Sequence, residues 1–180
     1  MYCKVYPQSI LDSLLPEGYT LIREKLKTQL SSEQTMTNMD KPVAYTGSKP
    51  YIFISYAHKD IEVILNEITQ IKAMWFEIWY DDGIMPGNDW GDEIANALKN
   101  SVVFLVYLTK HSVNSEFVAK EINFALNQKK SFIAIYLEEV ELPLGLQLKM
   151  DKIQGIYKQK YIVDEYLKKL KSSLEVKLSG

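Results

Sequence analysis

Phe117 and Glu121 stand four residues apart in the stretch Ser115-Glu116-Phe117-Val118-Ala119-Lys120-Glu121-Ile122, whose apolar positions recur at helical spacing. An i, i+4 spacing places the ring and the carboxylate on one face of a helix. Val118, Ile122, Ala125 and Leu126 mark the inward stripe of the same helix. Glu121 therefore falls at the border of that stripe and is expected to be partly desolvated. A carboxylate beside a ring and above an apolar floor ionises reluctantly, which is how many sites tune an acid or a charge stabiliser. Most helical glutamates are solvated surface residues, and Glu116 with Lys120 reads as a surface pair of that kind.

The elements that must position this helix alternate along the chain. Tyr51 to Tyr56, Phe76 to Tyr80, Val102 to Leu108, Phe132 to Leu137 and Gly155 to Lys160 read as strands. Between and after them, Asp60 to Met74, Asp89 to Lys99, Ser115 to Gln128 and Val163 to Leu178 read as helices. Apolar strands alternating with amphipathic helices imply an α/β, doubly wound, mostly parallel five-stranded sheet with helices on both faces. Upstream, Leu15, Tyr19, Ile22, Leu26 and Leu30 follow a helical period around the breaker Pro16-Glu17-Gly18, and residues 31 to 50 are rich in Ser, Thr, Asn, Gly and Pro. Residues 1–49 are thus expected to form a helical extension and linker, and 50–178 the main domain.

In open parallel sheets ligands bind beyond the carboxyl ends of the strands. The loops to inspect are therefore Ala57-His58-Lys59, Asp81-Asp82-Gly83-Ile84-Met85-Pro86-Gly87 and Thr109-Lys110-His111-Ser112. Several chemistries of this architecture are excluded by their missing signatures. Neither GxGxxG nor GxxxxGK[ST] occurs, so the dinucleotide fingerprint and the P-loop are absent. The third strand ends Leu108-Thr109-Lys110, without the acceptor Asp of a phospho-receiver. There is no GxSxG elbow, and neither His58 nor His111 has a nucleophile and acidic orienter at motif spacing.

Composition narrows the class further. The 180 residues are 47% hydrophobic and 24% charged with a net charge of −2, an ordinary globular balance without the basic footprint of a nucleic-acid binder. Cys3 is the single cysteine, and with two histidines no CxxC or HExxH cluster exists, so no metal is expected. The longest apolar run, Val102 to Leu108, is far shorter than a membrane span. The first twenty residues lack a basic start followed by an apolar core, which makes the cytoplasm the expected compartment.

Five segments, in order, carry a resemblance to a known family. Phe53-Ile54-Ser55-Tyr56-Ala57 looks like the FISY opening strand of Toll and interleukin receptor (TIR) domains, and Ile78-Trp79-Tyr80-Asp81-Asp82 with Pro86-Gly87 is similar to their second strand and BB loop. Trp90, Glu93-Ile94 and Ala97-Leu98 match the following helix; Ser101 ends it, and the third strand leads into the Ser-aromatic-x-x-x-Glu helix. The chain resembles the bacterial, NAD-cleaving type, except that Phe117 stands where the family usually has Trp, and Ala57 or His58 replaces a basic residue of some active members.

The resemblance implies a flavodoxin-like fold and cleavage of the nicotinamide–ribose bond of NAD, releasing nicotinamide and ADP-ribose or a cyclic relative. It makes NAD a substrate, with no cofactor. In the family the essential residue is the Glu that matches Glu121. By the same carry-over Phe117 would wall the nicotinamide, Tyr56, His58 and Asp81 would line the cleft, and Trp90 would shape it. Asp82, Gly83, Ile84, Met85, Pro86 and Gly87 would form the BB loop used in self-association. The implied setting is bacterial anti-phage defence, with a separate effector reading the nucleotide product. The alternatives are a non-enzymatic scaffold acting by TIR–TIR association, or a virulence factor acting on host TIR signalling.

Overall fold

A computed structural model describes residues 42–81 and 90–179. Five strands, β1 (Ile52–Ser55), β2 (Ile78–Tyr80), β3 (Val103–Leu108), β4 (Ser131–Tyr136) and β5 (Gly155–Tyr157), form one sheet in the order β2-β1-β3-β4-β5. Every pairing is parallel, so the sheet is wholly rather than mostly parallel. Parallel strands need crossovers, and these are supplied by α1 (Ile61–Ala73), α2 (Trp90–Asn100), α3 (Glu116–Asn127) and α4 (Leu144–Met150), with α5 (Val163–Leu178) closing the described chain. The order is the flavodoxin-like doubly wound one, with its switch point between β1 and β3.

Strand alternation divides the core into two layers. Ile52, Ile54, Ile78, Tyr80, Leu105 and Tyr107 face α1 and α5, where Ile64, Ile68, Ile71, Tyr166, Leu170 and Leu174 meet them. Phe53, Trp79, Phe104, Val106 and Leu108 face the other way, against Leu98 of α2, Val118, Ile122 and Ala125 of α3, and Leu146 and Met150 of α4. Trp79 stacks on Phe53 with ring centroids 4.9 Å apart, so it is a core residue. Each fully buried aliphatic or aromatic side chain contributes roughly 1.5–3 kcal/mol through removal from water, which makes these two layers the main hold on the helices.

Three departures from the sequence expectations have local causes. β5 stops at Tyr157, because Lys158–Lys160 turn into a 3₁₀ segment that swings the Lys158 ammonium onto Glu67. β2 begins at Ile78 rather than Phe76, since α1 ends in a turn where Trp75 adopts φ 70. The helix α4 has no periodic signal in the sequence, because its seven residues follow Pro143 and span only two turns.

The helical extension expected over residues 1–41 lies outside the described residues. Of the expected linker, residues 42–45 lie beside β2: the Tyr45 N–H donates to the Ile78 carbonyl at 2.8 Å, and the Tyr80 hydroxyl donates to the Pro42 carbonyl. No described helix is long and apolar enough to cross a membrane.

Candidate active site

α3 is built to present one carboxylate to the end of β1. Ser115 caps it, accepting the Val118 N–H at 3.3 Å, and Glu116 in the first turn favours the positive end of the helix dipole. Val118, Ile122 and Ala125 bury the inward stripe and fix the helix in rotation. Glu121 then lies half-buried beside the last residue of β1, whose side chain shares the Phe53 face of the sheet. There the Ser55 hydroxyl donates to Glu121 Oε2 at 2.5 Å.

Burial pushes the Glu121 carboxyl up to about 7; the Ser55 hydrogen bond works against that rise, and the nearby Asp81 carboxylate adds to it. A carboxyl that is half ionised near neutrality can act as an anion or as an acid with a small change of surroundings.

Between α2 and α3 opens a cleft of about 310 Å³, lined chiefly by Ile94, Leu98, Phe117, Lys120, Glu121 and Phe124. Its walls are apolar, and Glu121 is the one acid among the described lining residues. Phe117 is 57% exposed, unusual for a large ring on a helix whose other face is core. The Lys120 ammonium lies 5.4 Å from the Phe117 ring centroid. Glu116 and Lys120, expected as a surface pair, are both exposed but form no salt bridge; the lysine leans over the ring instead.

Tyr56, His58 and Asp81 are brought together at the carboxyl ends of β1 and β2. His58 Nε2 and Asp81 Oδ2 are 2.9 Å apart, and the Tyr56 hydroxyl donates to the Asp81 carbonyl. These three meet beside Ser55, and Asp81 lies close enough to Glu121 for its charge to act on that carboxyl. Asp82, Gly83, Ile84, Met85, Pro86 and Gly87 lie outside the described residues. Trp90 opens α2, and its side chain lies outside them as well.

A second His–Asp pair, which no sequence spacing signals, joins His111 to Asp60. Asp60 accepts from the Thr109 hydroxyl at 2.6 Å and lies 2.6 Å from His111 Nδ1, joining the start of α1 to the end of β3. Ser55, a member of the Phe53-Ile54-Ser55-Tyr56-Ala57 segment, joins the site as the partner of Glu121. Its signal in sequence was a hydroxyl at the end of an otherwise apolar strand, a group that needs a partner when buried. No cluster of three or more His, Cys, Asp or Glu suited to a metal occurs among the described residues.

A half-buried carboxylate at the floor of an apolar cleft, with an exposed ring at its rim, can stabilise a cation developing on a bound molecule and accept hydrogen bonds from its hydroxyls. The comparisons agree with the architecture that holds it. The family model described as TIR domain matches residues 52–170. No curated protein matches. Among solved structures, the TIR domain of the Toll-related receptor TRR-2 from Hydra magnipapillata is similar with a TM-score of 0.59 and 17% identity, covering 69% of this chain and 97% of that one. The RPS4 and RRS1 TIR domain heterodimer is similar with a TM-score of 0.51 and 12% identity, covering 73% of this chain and 100% of that one. Fold, strand order and the span of the family match agree, and the chain belongs to the TIR domain family.

Proposed function

We propose that this chain cleaves the bond between nicotinamide and ribose in NAD, with Glu121 as the essential carboxylate. The observation that carries this reading is the setting of Glu121: four residues after an aromatic ring, in an apolar cleft, with one oxygen held by Ser55. O-glycoside hydrolysis ordinarily uses two carboxyl groups because the leaving oxygen must be protonated. Nicotinamide instead departs as a neutral molecule, taking the bonding pair of the C–N bond and leaving the positive charge on the ribose. One anionic group beside that ribose suffices to stabilise the oxocarbenium character of the transition state. Phe117 forms the apolar wall for the nicotinamide ring, and Tyr56, His58 and Asp81 act at the ribose side.

Water attacking the anomeric carbon gives ADP-ribose; attack from within the same molecule gives a cyclic product. A role in bacterial anti-phage defence, with a separate effector reading the product, fits this chemistry. Self-association of the domain fits the pairing named for the RPS4 and RRS1 TIR domains. The scaffold reading would leave Glu121 without a purpose that an exposed side chain could not serve.

The test is chromatographic. Purified protein, dilute and concentrated, is incubated with NAD beside a Glu121→Gln variant, and nicotinamide and the ADP-ribose products are quantified. Release that disappears in the variant supports the reading; equal release by both proteins, or none at any concentration, counts against it.

A further inference from the structure

We infer that Ser55 is the positioning residue of the site: its hydroxyl fixes the orientation of the Glu121 carboxylate at the cleft. This rests on the proposed role of Glu121, but its geometric basis is independent of the substrate. Ser55 is 1% exposed at the end of β1, in a strand whose other three members are Ile52, Phe53 and Ile54. A hydroxyl in such a place is costly unless paired. Its partner is Glu121 Oε2, 2.5 Å away and sixty-six residues on in sequence. Glu121 Oε1 accepts no hydrogen bond among the described residues, and the side chain lines the cleft. One oxygen is therefore anchored to the sheet while the other remains available to a bound molecule.

The anchor is rigid. Ser55 pairs with Val106 in the parallel register between β1 and β3, two strands buried along their whole length. Glu121 sits one residue before Ile122, which is wholly buried. Donor and acceptor thus come from a central strand and a packed helix, so the bond is preorganised. A hydroxyl donating to a carboxylate favours the charged form, and in this site it opposes the burial that favours the neutral one.

Two readouts test the role. Glutamate labelled with ¹³C at the side-chain carboxyl gives the Glu121 titration by NMR without any substrate, and nicotinamide release is followed against pH on the same proteins. Ser55→Ala is expected to raise the Glu121 midpoint by about one unit, the scale of one lost hydrogen bond to a charge. The rising limb of the activity profile should move by the same amount, so that release near pH 7 falls by roughly fivefold and recovers at higher pH. Ser55→Thr, which keeps the hydroxyl, restores both. Ser55→Cys, similar in shape with a weaker donor, falls between and serves if the alanine variant does not fold.

An unmoved Glu121 midpoint in Ser55→Ala or Ser55→Cys overturns the inference. A moved midpoint without any nicotinamide release from the unaltered protein keeps the electrostatic role of Ser55 and removes the NAD reading. A fall in activity equal at every pH, with the midpoint unmoved, reduces Ser55 to a packing residue.

Discussion

The carboxylate of Glu67 accepts the Tyr166 hydroxyl at 2.5 Å, and the two residues join α1 to α5 although ninety-nine positions separate them. The Lys158 ammonium reaches the other oxygen of the same carboxylate, and the Tyr107 hydroxyl of β3 lies 3.4 Å from it. Glu67 is 1% exposed, so the group is a polar joint inside an apolar layer. Burial raises the pKa values of Tyr166 and Tyr107, helped by the nearby Glu67 charge, and both phenols stay protonated as donors. Removing one partner strands the others: Glu67→Ala is expected to destabilise by about 3–5 kcal/mol, while Tyr166→Phe costs about 1–2 kcal/mol. Urea unfolding of both variants checks the order, and an alanine variant within 1 kcal/mol of the parent, on the order of a single hydrogen bond, would remove the joint from the account.

Glu121 gives stability a pH dependence of definite sign. Its carboxyl rises from an ordinary 4.5 to about 7 in the fold, so the folded chain holds this proton more tightly than the unfolded one. The resulting stabilisation is complete below about 4.5, declines as pH rises to about 7, and is absent above that. Glu121→Gln, which has no proton to lose, should match the parent at pH 4 and exceed it at pH 8 by on the order of 1–3 kcal/mol. Thermal melts across that range decide it; identical pH dependence in the two proteins would mean the group is not desolvated.

The same titration sets the expected activity profile. The proposed mechanism uses the anion, so nicotinamide release should climb through a midpoint near 7 and level off above it. A profile flat from pH 5 to 9 would show that another group carries the charge.

Phe117 separates binding from folding. At 57% exposure it contributes little to the core, so Phe117→Ala should change stability by less than about 1 kcal/mol. Its loss from the rim should raise KM for NAD several-fold, and Phe117→Trp should leave turnover intact or improved. Steady-state kinetics on variants of matched melting temperature make the comparison; unchanged KM in the alanine variant would place the ring outside the substrate site.

Trp75 carries backbone strain that nothing around it relieves by burial. It sits just past α1 at φ 70 and is 94% exposed, where glycine or asparagine is the usual occupant. Trp75→Gly should stabilise by about 0.5–1 kcal/mol, the left-handed penalty of a side chain less the chain entropy of glycine. The melting temperature reports it directly, and a fall would mean the ring serves a contact made in solution.

The sheet was legible because its strands are short apolar runs set between amphipathic helices, and α5 could be bounded at both ends. The helix carrying Glu121 was legible for the same reason, since Val118, Ile122 and Ala125 mark its stripe. What could not be read is pairing across the fold. Ser55 with Glu121, His58 with Asp81 and Asp60 with His111 are joined by topology alone, at separations of 66, 23 and 51 residues. No spacing rule reaches so far.

The short segment beside β2 has a practical consequence for how the domain is produced. β2 is the outer strand of the sheet, and residues 42–45 cover its flank through the Tyr45 and Pro42 hydrogen bonds. A fragment begun at Tyr51, just before the first strand, would leave that flank bare. An unpaired outer strand recruits others, so such a fragment should precipitate or form ladders of molecules, and a soluble preparation should begin upstream of Pro42.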